Sequence, residues 1–319
     1  MTRLFPLRLA VLCAWLAWAG CIVLPAGSAW ATAATAPTAA QLAEMVFPGL
    51  GDAHPRKLQT MLLPAGTGNT YANWGGGQTR VIVEPKLVVK TDADHLTLVV
   101  AVQPAGDDGR PAVTHLTPMG LAAYQFTRAG AGWSLAGRQG IFAWRGFFGA
   151  ASMRQVTLAE GRHPKQAIGV EYGSCWGGYC GTWLALYELD GHGVQRDPSV
   201  ELALTGTNVD SAGDCIGRLQ PLIKPRAQDP APHDDAAAGS PHDCYMIDVA
   251  WNVEPSRDQP GDLVIRYQGA ISRADTPAAR PSPIDQRQVL RYGGGKYRAV
   301  SGFNPVPPIR GLIALASRA

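Results

Sequence analysis

The chain has 319 residues, with 28 Lys+Arg against 25 Asp+Glu and a formal net charge of +3. That near-balance excludes an electrostatic case for nucleic acid or for an anionic membrane surface. Only 17% of residues are charged while Gly (37) and Pro (25) are abundant, which points to short strands and tight turns rather than surface helices.

Arg3 and Arg8 precede an apolar run from Leu9 to Leu24, and Ser28-Ala29-Trp30-Ala31 puts small residues at both positions a signal peptidase reads. Residues 1–31 therefore read as a secretory signal peptide cleaved after Ala31. The run is too short, and too soon followed by Pro25 and Gly27, for a membrane-spanning helix. Lipidation at Cys21, after Ala19-Gly20, is the rival reading; Trp18 and the apolar residues after Cys21 fit it poorly. The expected product starts at Thr32, has no integral membrane segment, and is periplasmic or secreted.

Residues 32–50 form an N-terminal segment with one short helix. Thr38 is placed to cap it through Gln41, Leu42, Met45 and Val46, and Pro48 stops it. Residues 51–319 are predicted to be a single β-rich domain. Residues 64–77, with Gly75-Gly76-Gly77, read as loop. Strand patterns then dominate: 81–83, 87–89, 121–127, 156–158, 167–172, 182–189, 246–251, 263–267 and 288–292. Leu96–Val102 is an unbroken apolar run and reads as a strand buried on both faces. Ile141–Phe148 is the most aromatic stretch, a core strand plus turn, with Trp144 as its contact candidate.

Three segments share one order: a strand, a loop, a strand carrying a Tyr (Tyr124, Tyr187, Tyr292), a Gly turn, and a third strand. The spacing is irregular. The pattern fits propeller blades, sandwich sheets or any antiparallel meander. The fold class is all-β, antiparallel, propeller-like or β-sandwich. Residues 225–243 and 274–283 are rich in Pro and polar residues and read as exposed loops.

Two of the six cysteines lie in the signal segment. Cys175, Cys180, Cys215 and Cys244 remain, an even number that implies two disulfides in an oxidising compartment. Sequence neighbours favour Cys175–Cys180 and Cys215–Cys244. The first pair sits in Gly173-Ser174-Cys175-Trp176-Gly177-Gly178-Tyr179-Cys180, flanked by apolar strands. That reads as a clamped hairpin with a four-residue loop. Trp176, Tyr179 and the following Trp183 are candidate contacts for a protein or glycan, since rigid rings give contact area at low entropy cost.

Gly173-Ser174-Cys175-Trp176 is similar to four residues of the papain-like cysteine protease signature, which would make Cys175 a nucleophile. Tyr172 stands where that family has Cys and Gly169 where it has its oxyanion-hole Gln. Gly177-Gly178 opposes a helix, and no His follows His242.

Asn208, Asp210 and Asp214 approach a calcium-loop pattern but lack its terminal Glu. His233, Asp234, Asp235, His242 and Asp243 have metal-ligand chemistry, but a Pro/Ala-rich loop is a poor frame for a metal, so they read as solvated charges. Glu171 and Glu188 would form a carboxylate pair only if strand register set them opposite one another. No cofactor motif is present. The sequence therefore suggests a non-catalytic envelope module that binds a protein or glycan; a secreted hydrolase with its site spread over loops is the alternative.

Overall fold

A computed structural model describes residues 36–63, 77–115, 117–161, 164–210, 214–220, 222, 242–257, 259–275 and 280–308. The expected signal peptide, Cys21, the bulk of the 64–77 loop, His233, Asp234, Asp235 and most of loop 225–243 lie outside the described residues. None of the described helices is long and apolar enough to cross a membrane.

Helix α1 (Ala39–Val46) begins as expected. The Thr38 side chain accepts from Gln41 N, and the Gln41 side chain accepts from Thr38 N, closing a capping box. Its buried residues Leu42, Ala43 and Val46 recur at helical spacing and dock on the first sheet, where Phe47 meets the edge of Tyr124 at 5.3 Å.

The fold is all-β and antiparallel, in two sheets. The first is a five-stranded meander of β1 (Lys57–Leu63), β2 (Gly77–Lys90), β3 (His95–Pro104), β4 (Met119–Ala129) and β5 (Gly132–Arg145). The second joins β6 (Ser152–Ala159), β7 (Lys165–Trp176), β8 (Tyr179–Asp190), β10 (Val200–Thr207), β11 (Cys244–Glu254), β12 (Asp262–Ser272), β13 (Ser282–Gly293) and β14 (Lys296–Ser301) in chain order. The two-residue β9 (Gly193–Val194) pairs with β8. A short helix α2 (Cys215–Leu219) precedes β11.

Strand periodicity explains the layering. In β3, Leu96, Leu98, Val100 and Val102 face α1, while Val99 and Ala101 face the second sheet. In β8, Trp183, Ala185 and Tyr187 face the first sheet, while Leu184 and Leu186 face the interior of the second. Strands covered on both faces have no solvent side, so their sequences lose the apolar–polar alternation and become continuous runs. The second sheet curls over its own core. Tyr297 N donates to Ser199 O, and the Arg154 guanidinium lies 3.6 Å over the Trp251 ring.

The three similar segments do not form separate blades. The first is β3–β5 in one sheet; the second and third, β7–β9 and β12–β14, are continuous parts of the other. Their common order follows from meander connectivity. Loop 274–283 ends earlier than expected, because Ser282 and Pro283 pair with Ile271 and Ala270. A proline at the start of a strand is tolerated where its missing N–H is not needed.

Candidate functional site

Strands β7 and β8 are joined by Gly177 and Gly178, both at positive φ (55° and 81°). This two-residue turn matches strand twist and needs residues without a Cβ penalty. The expected four-residue loop is thereby corrected: pairing continues past the disulfide to Trp176 opposite Tyr179. Cys175 and Cys180 face each other with Cα atoms 4.0 Å apart and are bonded, as are Cys215 and Cys244. Cys175 is therefore a strand residue in a disulfide, which removes the nucleophile reading.

Alternation along β7 puts Tyr172 and Trp176 on the side facing the first sheet. Beyond the edge of the shared core, the Trp176 ring reaches the β3–β4 loop and lies 4.9 Å from His115. His115 in turn lies 6.2 Å from Phe148 in the β5–β6 loop. Trp176 and Phe148 are each 54% exposed, and Val113 and Tyr179 are 37% and 36% exposed. Three loops thus converge on one aromatic, largely apolar surface. Phe148 has φ 54°, the only non-glycine among the described residues at positive φ. Such a conformation costs about 1–3 kcal/mol and persists only when its surroundings enforce it. The same turn has no room for a side chain at Gly146, where a Cβ would lie 2.1 Å from Ala150 O.

Two polar groups beside this surface are bonded internally. Gln103 donates to Gly149 O, and Thr114 N donates to the Thr117 hydroxyl. His115 Nε2 is buried and has no hydrogen-bond partner among the described residues.

Two other contact candidates are corrected. Trp183 is 7% exposed, stacked on Tyr172 at 5.9 Å. Trp144 is also 7% exposed, and its ring passes so close to Gly120 that a Cβ there would be 2.9 Å away. Both lie on strand faces covered by a second layer, so neither presents a contact surface.

The carboxylate pair is not formed. Glu171 pairs with Leu184 and Glu188 with Ala167, four residues away along β7. Glu171 instead accepts from Trp251 Nε1, and buried Glu188 from the Tyr292 hydroxyl. The calcium pattern also fails as a ligand set. The Asn208 carboxamide is used at both ends, donating to Asp243 O and accepting from Tyr245 N, so it ties β10 to β11. Asp214 is paired with Arg218 and His242. Asp210 is exposed.

Two clusters escaped sequence reasoning. Between the sheets, Glu201 accepts from the Tyr172 hydroxyl and from Arg145 at 3.1 Å. Burial, then the Glu201 charge, pushes the Tyr172 hydroxyl far above its usual value and keeps it protonated. It acts as a fixed donor to Glu201 within the second sheet, while Arg145 from the first sheet ties the two sheets together through the same carboxylate. The second is a cleft of about 510 Å³ at the other end of β8, where Asp92, His95, Gln166 and His192 stand beside apolar Phe126 and Leu189. His95 Nδ1 lies 2.8 Å from Asp92 there. Burial opposes ionisation of Asp92, but hydrogen bonds from Asp94 N and His95 outweigh it and hold the carboxyl below its usual value. No periodicity in sequence marks residues that meet only through three loops or two sheets.

Fold and surface together define an all-β protein of two antiparallel meanders with two disulfides and an aromatic tip. No protein-family model, curated protein or solved structure matches the chain.

Proposed function

We propose that the chain is a non-catalytic module of the periplasm or the extracellular medium that binds a protein partner through Trp176, Phe148, Val113 and Tyr179. The observation that carries this reading is the surface beside the clamped hairpin tip, where Trp176 of the hairpin and Phe148 of the β5–β6 loop stay half-exposed. Burying rings of this size normally stabilises a fold by about 1.5–3 kcal/mol each, so leaving them in water implies another use. A protein segment suits the surface better than a glycan. The surface is mainly apolar and aromatic, and the neighbouring Gln103 and Thr114 are already bonded internally. Two disulfides support an oxidising compartment.

The test compares wild type with Trp176→Ala/Phe148→Ala in cross-linking from envelope extract, followed by binding to the purified partner. The variant should lose at least about tenfold in affinity, while its urea midpoint shifts by no more than about 1 kcal/mol. Equal binding by both proteins would refute the assignment.

A hydrolase is the second reading, favoured by the His95–Asp92 pair in the cleft. That pair also closes the β2–β3 turn, where Asp92 accepts from Asp94 N, and both side chains are about half exposed. Hydrolysis of a generic ester or glycoside panel that vanishes in His95→Ala would favour it.

A further inference from the structure

We propose that Cys215, Cys244, His242 and Asp214 form a redox-gated site for a tetrahedral divalent cation of the zinc type, closed while the disulfide is intact and opened by a dithiol reductant. The four side chains come from the start of α2 and the start of β11, and one potential ligand atom from each lies within 4.8 Å of all the others. Their chemistry is that of a two-thiolate, one-imidazole, one-carboxylate zinc set.

The distances support this assignment independently. Zinc bonds of roughly 2.3 Å to sulfur and 2.0–2.1 Å to nitrogen or oxygen, at tetrahedral angles, require S···N near 3.5 Å and N···O near 3.3 Å. His242 Nε2 lies 3.5 Å from Cys215 Sγ and 3.3 Å from Asp214 Oδ1. Two of the ligand–ligand distances thus already match the edges of a coordination tetrahedron. The two sulfurs, covalently joined here, must part to roughly 3.8 Å, and the remaining ligand atoms, all within 4.8 Å of one another, must close on the cation.

The surroundings fit the same role. Arg218 bonds Asp214 Oδ2, leaving Oδ1 turned toward His242. Arg218 also donates to His242 O and to Ser272, so the chain on both sides of the site is held. The sulfurs are fully buried, while Asp214 is 49% exposed and His242 26% exposed, so the cation would enter from their side.

The chemistry balances. A dithiol gives two electrons and two protons to the Cys215–Cys244 bond, becoming a disulfide and leaving two thiols. Binding one divalent cation then releases those two protons to solvent as the thiolates coordinate.

The experiment uses the full chain carrying Cys13→Ser, Cys21→Ser, Cys175→Ser and Cys180→Ser, so that Cys215 and Cys244 form the one dithiol present. Unreduced protein, and protein reduced with a water-soluble phosphine and desalted without oxygen, are each titrated with cobalt(II). The reduced form should take up one cobalt per chain, with the intense visible bands of tetrahedral cobalt and a near-ultraviolet thiolate charge-transfer band, both erased by zinc. The unreduced form should show neither. In the reduced chain, His242→Ala and Asp214→Ala should each weaken cobalt binding by at least about tenfold. Should reduction loosen the fold, adding zinc should restore the near-UV circular dichroism. Absence of the cobalt spectrum, a spectrum unchanged in both variants, or failure of zinc to restore a loosened fold would each overturn the proposal.

Discussion

Alkali should unfold this protein in a single step near pH 11, because six tyrosine hydroxyls lie in its core. Tyr124, Tyr172, Tyr187, Tyr245, Tyr267 and Tyr297 are each no more than 6% exposed. Burial, which penalises the phenolate, pushes Tyr124 and Tyr245 up to about 12 and the other four higher still. In an unfolded chain each titrates near 10. The folded value is the higher one, so this stabilisation is complete below about pH 10 and falls as pH rises, when the unfolded chain releases protons that the folded chain retains. At pH 11 each residue costs about 1.4 kcal/mol relative to neutral pH, and the six together cost about 8 kcal/mol. That is comparable with the whole stability of a typical domain, about 5–15 kcal/mol, so the titration decides whether the fold survives. Followed from pH 8 to 12, the tyrosinate absorbance of these six of the nine tyrosines should appear in one transition coincident with the loss of near-UV circular dichroism. Gradual ionisation of these six residues near pH 10 with the dichroism intact would refute the reasoning.

The disulfides should contribute unequally. Cys215–Cys244 spans a sequence separation of 29 and Cys175–Cys180 one of 5, so loop entropy gives about 3.5 and about 2 kcal/mol respectively. Urea unfolding of the two Ser/Ser variants should show the larger loss for the first. Glu201→Ala strands Arg145, which is only 8% exposed, between the sheets and should cost about 3 kcal/mol by the same assay. Gly261→Ala should be more damaging, at least about 3 kcal/mol, since the new Cβ would lie 1.7 Å from Glu254 O. Gly191→Ala, which meets nothing within 4 Å, should change the midpoint by about 0.5 kcal/mol or less.

Much of the architecture is local and therefore legible. Thr38 and Gln41 cap α1 with groups three residues apart. The Leu96–Val102 run announces a strand buried on both faces. Cys175 and Cys180 are near enough in sequence to suggest a hairpin clamp. The turn within that clamp was less legible, because pairing of Trp176 with Tyr179 depends on how far the ladder continues after the cysteines. The contact candidates divided along the same line. A tryptophan in a strand has an even chance of facing either layer, and sequence carries no sign of which face a second sheet will cover. Trp183 and Trp144 were covered, whereas Trp176 was carried past the edge of the core.

The sequence alone determined the all-β class and the capped helix and favoured the cysteine pairing that the structure shows, because hydrogen-bonding pattern, side-chain periodicity and turn chemistry act over a few residues. Only the tertiary structure decided that His115, Phe148 and Trp176 share one surface, that Glu201 locks two sheets, and that His242 and Asp214 stand beside a disulfide. Those neighbours are set by strand register and loop convergence over tens of residues, and such long-range contacts leave no periodic trace in the chain.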